Sequence, residues 1–227
     1  MKSKIQYKNN QWKFDSKVCL EFDSHVRKNV PFYEYMHGLV KDISAFFITK
    51  DSNVYDLGCS TGFASSYLSN NKKGNVIGID EKEDMINIAR NRVKNATFYK
   101  GQIIDYKYFN SSFALSFLTA HFIKHNERDL LIKNVYSGLN EGGAFCLVEK
   151  IFSESPRIQE IFNGMLLDFK IKNGFSYEET IKKNQSLRGC LIPRSIDQNI
   201  KSLKDAGFKE VDSFFRVQNF VGLIAIK

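Results

Sequence analysis

The 227-residue sequence has no close pair of cysteines: its four, at positions 19, 59, 146 and 190, stand 40, 87 and 44 residues apart. Zinc and redox motifs need ligands a few residues from one another, so both classes are excluded, and a chain of this length can build a core without disulfides. The plain expectation is a cytoplasmic protein with reduced, mostly buried thiols, and no metal is expected. No apolar run approaches the roughly 18–20 residues of a membrane span. The longest clusters, such as Phe145-Cys146-Leu147-Val148, are strand-sized. Met1 to Asn10 is positively charged with no apolar stretch behind it, unlike a secretory signal. Prolines number only three, and no repeat or low-complexity tract is present.

What the chain does have is an ordinary globular composition. Hydrophobic residues make up 43% and charged residues 26%, which excludes collagenous and disordered classes. The net charge is +8, but it is spread: residues 1–50 hold nine basic against five acidic side chains. With no basic block, a diffusely basic surface is favoured over a nucleic-acid interface, and tRNA stays a possible but unfavoured partner. Nor do the 20 phenylalanines interleave with Lys and Arg as a base-stacking strand would require.

Short apolar runs alternate with amphipathic stretches. Strands are predicted at Asn53–Leu57, Asn75–Asp80, Ala96–Tyr99, Phe113–Leu118 and Ala144–Val148. Helices are predicted at Gly62–Leu68, Glu81–Val93 and Glu127–Leu139, from apolar residues three and four apart. Ser195 can cap a helix running to Ala206 that Gly207 closes, and the strands Val211–Val217 and Phe220–Ile226 follow as an antiparallel pair. Such alternation implies parallel βαβ units in an open α/β sheet. A single domain is expected over 1–227, with a helical extension over 1–50. A helical insertion over 152–194 would contact substrate or a partner subunit.

The stretch Asp56-Leu-Gly58-Cys59-Ser60-Thr-Gly62 follows a strand and opens a helix, the setting that a nucleotide-binding glycine turn needs. Gly58 allows a sharp turn and close approach to a ligand, and Gly62 lets the helix start near the strand. Asp56 can accept from an ammonium or fix the loop. Twenty-four residues after Asp56, Asp80 ends the second strand, where a carboxylate accepts from both hydroxyls of a ribose. NAD and S-adenosyl-L-methionine both suit such a loop. The acid inside the first strand favours S-adenosyl-L-methionine, which carries an amino-acid moiety in place of a pyrophosphate. The expected fold is therefore the class I SAM-methyltransferase, Rossmann-like α/β architecture. It has a mostly parallel seven-stranded sheet, an antiparallel edge strand and helical insertions.

Several segments together resemble the carboxy-S-adenosyl-L-methionine synthase family. They are Trp12-Lys-Phe-Asp15, Val30-Pro31-Phe-Tyr33, Val54 to Ser60, Gly138 to Gly143, Glu149-Lys150, Asp168-Phe-Lys170, Asn173 to Ser176, Ala206-Gly-Phe208 and Asn219-Phe220. The likeness runs from about residue 12 to the end. It implies a homodimer that converts SAM and prephenate to carboxy-SAM and phenylpyruvate, in service of a tRNA wobble-uridine modification. For the cofactor site it implies Tyr33, Gly58, Cys59, Ser60, Asp80 and Glu81, with Gln102 and Ile103 against the adenine and Phe117 at the end of the fourth strand. Departures accompany it. Gln102 stands where the family has Asp, Phe117 where it has Asn, and Leu166-Leu167 where it has a His pair. Asn184 falls at the family's carboxylate-binding arginine, which leaves Lys183 or Arg188 as substitutes.

His121 and Glu149, beyond the fourth strand and at the end of the fifth, are the candidates for catalysis, His121 as a general base and Glu149 as an orienting group. His125 is read as a surface histidine at a helix start, and Asp168 with Lys170 as an exposed pair. The first functional expectation is methyl transfer from SAM to a small-molecule acceptor. Carboxy-SAM synthesis, other chemistry on SAM such as cyclisation or cleavage, and a non-catalytic SAM-binding scaffold are the alternatives.

Overall fold

The computed structural model describes residues 16–71 and 73–227, with side chains from residue 21 onward. The Trp12–Asp15 segment and the Cys19 side chain lie outside the described residues. Seven strands, β1 (Asn53–Leu57), β2 (Asn75–Asp80), β3 (Thr97–Lys100), β4 (Ser111–Phe117), β5 (Leu139–Lys150), β6 (Glu210–Val217) and β7 (Phe220–Ile226), form one sheet. Their order is β3-β2-β1-β4-β5-β7-β6. Neighbours from β3 through β5 are parallel, and β7 runs antiparallel between β5 and β6. This is the expected class I architecture, and the reversed strand arises because β6 and β7 are joined by a tight turn, which only antiparallel partners allow.

The helices are α1 (Ser16–Asn29), α2 (Tyr33–Phe47), α3 (Phe63–Ser69), α4 (Glu83–Arg92), α5 (His125–Gly138), α6 (Pro156–Lys172), α7 (Tyr177–Ser186) and α8 (Ile196–Ala206). Among the described residues, none is long and apolar enough to cross a membrane. Ser195 caps α8 through a box with Gln198, and Gly207 closes it at φ 116°, as the spacing of those residues predicts. The one large boundary difference is β5, which starts five residues before the predicted Ala144. Asn140, Glu141 and the two glycines have low strand propensity and hide its first half.

Side chains alternate across the sheet and divide the core in two. Tyr55, Leu57, Phe145 and Leu147 pack with Leu131, Ile132, Val135 and Leu203, under α5 and α8. Val54, Phe113, Leu115, Cys146 and Val148 pack with Met36, Val40, Ala64 and Leu68, under α2 and α3. The central strands are buried on both faces, so they read as continuous apolar runs.

Candidate functional site

From β1 the chain winds toward β3 on one side, and from β4 toward β5 on the other. The switch falls between β1 and β4, where crevices form outside the strands' C-terminal ends. A cavity of about 340 Å³ opens there.

Its floor is the glycine loop. Gly58 and Gly62 both have φ 75°. A Cβ on Gly58 would sit 2.3 Å from Thr119 Cγ2, so no other residue fits. A Cβ on Gly62 would sit 2.9 Å from Ala89 Cβ, so glycine there lets α3 start close against α4, which explains its place at the helix rather than on the cavity wall. The amides of Gly58 and Cys59 donate to Ile79 O at 2.8 and 3.0 Å, clamping the loop to β2. The Cys59 side chain turns away among Ile86, Ala89, Val93 and Phe98, and burial raises its thiol pKa well above the ordinary value.

Asp80 is braced from two sides. Ser60 N donates to Oδ2 and Lys82 N to Oδ1, each at 2.9 Å, so the carboxylate faces the cavity with its remaining lone pairs. Burial pushes its pKa up, and the two amide bonds partly oppose that. Next to it, Gln102 Nε2 donates to Glu81 at 2.9 Å, and the Lys82 ammonium at 2.8 Å holds Glu81 below its usual range. Ile103 supplies an apolar wall beside them. Asp56 is 2% exposed and accepts from the Ser65 hydroxyl at 2.6 Å; burial pushes its carboxyl up to about 6.

At the opposite end stands an aromatic box. The His37 ring stacks on Phe117 with centroids 3.7 Å apart, and Tyr33 and Phe63 meet it edge-on at 4.6 and 4.8 Å. His37 Nδ1 bonds the Tyr67 hydroxyl at 3.0 Å, while burial and the nearby Arg27 push its pKa down to about 3, so the ring is neutral. Tyr33, Asp56, Gly58, Cys59, Ser60, Asp80, Glu81, Gln102, Ile103 and Phe117 are therefore brought together around one cavity. The sequence analysis missed His37, Thr119 and the α1 residues Phe22 and Val26. His37 lies one helical turn after Tyr33, so its face was readable. Nothing in α1 signals that it covers a site.

His121 and Glu149 do not line the cavity. Glu149 has the same strand parity as Phe145 and Leu147, which turns it to the face opposite Phe117. There it is fully buried 3.8 Å from Arg128 and 3.6 Å from His121. Arg128, also 0% exposed, donates to the Ile123 and Ile192 carbonyls at 3.0 and 2.6 Å. His121 Nδ1 accepts from Lys150 N at 3.2 Å, which leaves the ring proton on Nε2. His125 is exposed at the start of α5, as read from the sequence.

The expected Asp168–Lys170 surface pair is corrected by the structure. Residues two apart on a helix point to different sides, so Asp168 is exposed while Lys170 is buried with Nζ 3.4 Å from Asn184 Oδ1. Lys183 is buried 2.8 Å from His25, and Arg188 is exposed.

The cavity's charged lining is Asp56, Asp80, Glu81 and Glu127 against Lys82, an acidic pocket in a basic chain. Acceptors for ribose hydroxyls and an ammonium, a Cβ-free approach at Gly58, and aromatic faces able to meet a sulfonium fit S-adenosyl-L-methionine.

Comparison with known proteins agrees. A sequence profile described as a methyltransferase domain matches residues 54–143. The carboxy-S-adenosyl-L-methionine synthase of Staphylococcus epidermidis is 45% identical over 98% of this chain and 100% of its own. That of Nautilia profundicola is 34% identical over 96% and 95%. Among solved structures, human N-acetylserotonin methyltransferase in complex with SAM aligns with TM-score 0.63 at 14% identity, and the CurJ carbon methyltransferase with 0.66 at 14%. These share the fold; the chain spans 56% and 58% of their lengths.

Proposed function

Because the chain belongs to the carboxy-S-adenosyl-L-methionine synthase family, within the class I methyltransferase superfamily, we propose that it transfers a carboxyl group onto the methyl of SAM, with prephenate as donor. That it is a SAM-dependent enzyme follows from family and fold together. The observation that carries the finer reading is 45% identity along the whole chain to a carboxy-SAM synthase. The balance is one carboxyl group moved. The methyl gives up a proton, prephenate gives up its ring hydroxyl, the two leave as water, and the ring becomes aromatic in phenylpyruvate.

S-adenosyl-L-methionine supplies an activated sulfonium methyl, and this chain's residues orient it. Asp80 and Glu81 hold the ribose, with Gln102 and Ile103 at the base. Asp56 receives the ammonium, and Tyr33, His37 and Phe117 enclose the sulfonium end. Phe22 and Val26 of α1 cover the cavity and keep water from the reacting carbon. The box supplies no charged group at the methyl, so its contribution is positioning.

Methyl transfer to a small acceptor is the second reading, favoured by Asn184 at the position of the family's carboxylate-binding arginine. A homodimer is proposed as well. Ile158, Ile161 and Met165, three and four residues apart on α6 and exposed, supply an apolar face for a second copy. The deciding experiment is mass spectrometry after incubation with SAM and prephenate. A product heavier than SAM by one carboxylate, with phenylpyruvate, is expected. Untouched prephenate beside unmodified or demethylated SAM would favour the second reading.

A further inference from the structure

One wall of the cofactor cavity hangs on groups that do not line it. Residues 118–123 follow β4 and bring Leu118, Thr119, Phe122 and Ile123 to the cavity. Leu118 N donates to Val148 O at 2.8 Å, and Thr119 fills the space that a Cβ on Gly58 would need. The near end of this segment therefore rests on β5 and the glycine loop. Its far end is held from behind. Arg128 Nη2 donates to both Ile123 O and Ile192 O, and Ile192 N donates to His121 O at 2.8 Å. Residues 187–194, which follow α7, are thereby fastened to the back of the cavity wall through one guanidinium.

The place of that guanidinium is set by Glu149, 3.8 Å away and equally buried. His121 also stands 3.6 Å from Glu149, but its Nδ1 accepts from Lys150 N and has no proton to give, so Arg128 is the cation paired with the carboxylate. A buried ion pair of this kind adds little stability over apolar side chains, because desolvating two charges costs about what their attraction returns. What it supplies is direction, since a planar guanidinium held on one side presents its other N–H groups along fixed lines. We propose that Glu149 and Arg128 are positioning residues. Glu149 sets Arg128, and Arg128 sets the cavity wall and ties residues 187–194 to it, so that cofactor binding orders both segments together. This rests on SAM as the ligand and on neither choice of reaction.

The test is hydrogen-exchange mass spectrometry on the full chain, with and without S-adenosylhomocysteine. It compares wild type, Arg128→Lys, and a variant combining Arg128→Met with Glu149→Leu. In wild type the ligand is expected to slow exchange in residues 118–123 and 187–194 together. The combined variant should melt close to wild type, because both charges leave at once. Its S-adenosylhomocysteine affinity should fall about tenfold by calorimetry, and the ligand should still slow residues 118–123 but no longer 187–194. Arg128→Lys keeps the ion pair without the fork and should retain part of the coupling. Equal slowing of residues 187–194 in wild type and the combined variant would overturn the proposal. So would a wild type in which the ligand never slows that segment. Faster exchange throughout the sheet, with a matching drop in melting temperature, would assign the pair to stability alone. If the combined variant does not fold, Arg128→Lys decides by the same reading, and undiminished slowing there overturns the tie. A wild type that binds no S-adenosylhomocysteine would overturn SAM as the ligand; the tie is then read from ligand-free exchange, expected to be faster at both segments in the variants.

Discussion

Asp56 is the residue at which stability and binding pull against each other. Its carboxyl sits at about 6 in the folded chain against an ordinary 3.8, so the folded state holds that proton more tightly than the unfolded state does. The sign follows: stability from this group is full below about pH 4 and is lost as pH rises through about 6. The loss is about 3 kcal/mol at neutrality, at 1.36 kcal/mol for each pH unit. A cationic ligand beside the carboxylate offsets it. Asp56→Asn keeps an acceptor for Ser65 and removes the charge. The free variant should melt higher than wild type at pH 7, while SAM affinity falls about tenfold, the size expected for one charge-assisted contact. Wild-type affinity should rise with pH from 5 to 7 and the variant's stay flat, measured by calorimetry; equal pH profiles would remove Asp56 from the site. Elsewhere at this scale the sequence was readable. The spacing of Asp56, Gly58, Gly62 and Asp80 announced the loop because backbone geometry and ribose chemistry leave few alternatives. Glu149 was not placed, although the alternation through Phe145 and Leu147 already carried its direction.

Among the elements, α1 has the most to do with ligand access. Asp23 accepts from Thr61 Oγ1 at 2.6 Å and pairs with Arg92 at 2.5 Å, and Arg92 also donates to Thr61 at 2.8 Å. The helix is thereby tied to the glycine loop and to the end of α4, while Phe22 and Val26 close the cavity. These side chains are partly exposed, so the tie contributes modestly to global stability. Its effect is local. Asp23→Ala should speed amide exchange in α1 and SAM dissociation by several-fold with little change in melting temperature. Hydrogen-exchange mass spectrometry with and without SAM checks this; unchanged α1 protection would show that packing alone holds the helix. None of this was legible beforehand, because residues 23, 61 and 92 are joined only by the fold.

For the whole molecule, the net charge of +8 and the acidic cavity point to different tasks. The spread basic surface favours contact with water, whereas the acidic lining of the cavity favours a cation. The exposed apolar stripe on α6 bears on assembly. Wild-type protein should elute with twice the 26.2 kDa protomer mass in light-scattering chromatography, and Ile161→Glu should shift it toward the monomer by burying a charge in the interface. A monomeric wild type would remove the dimer.

Sequence alone determined the class of fold and the glycine-loop end of the cavity. Hydrophobic periodicity, glycine's freedom at φ 75° and the spacing to Asp80 are local properties that survive without neighbours. Tertiary structure decided the other end of the cavity. The box of Tyr33, His37, Phe63 and Phe117 joins α2, α3 and β4, and the tie of Asp23, Thr61 and Arg92 joins α1 to the glycine loop and α4. Both depend on which faces pack together, and that is settled by burial across the whole sheet rather than by any segment on its own.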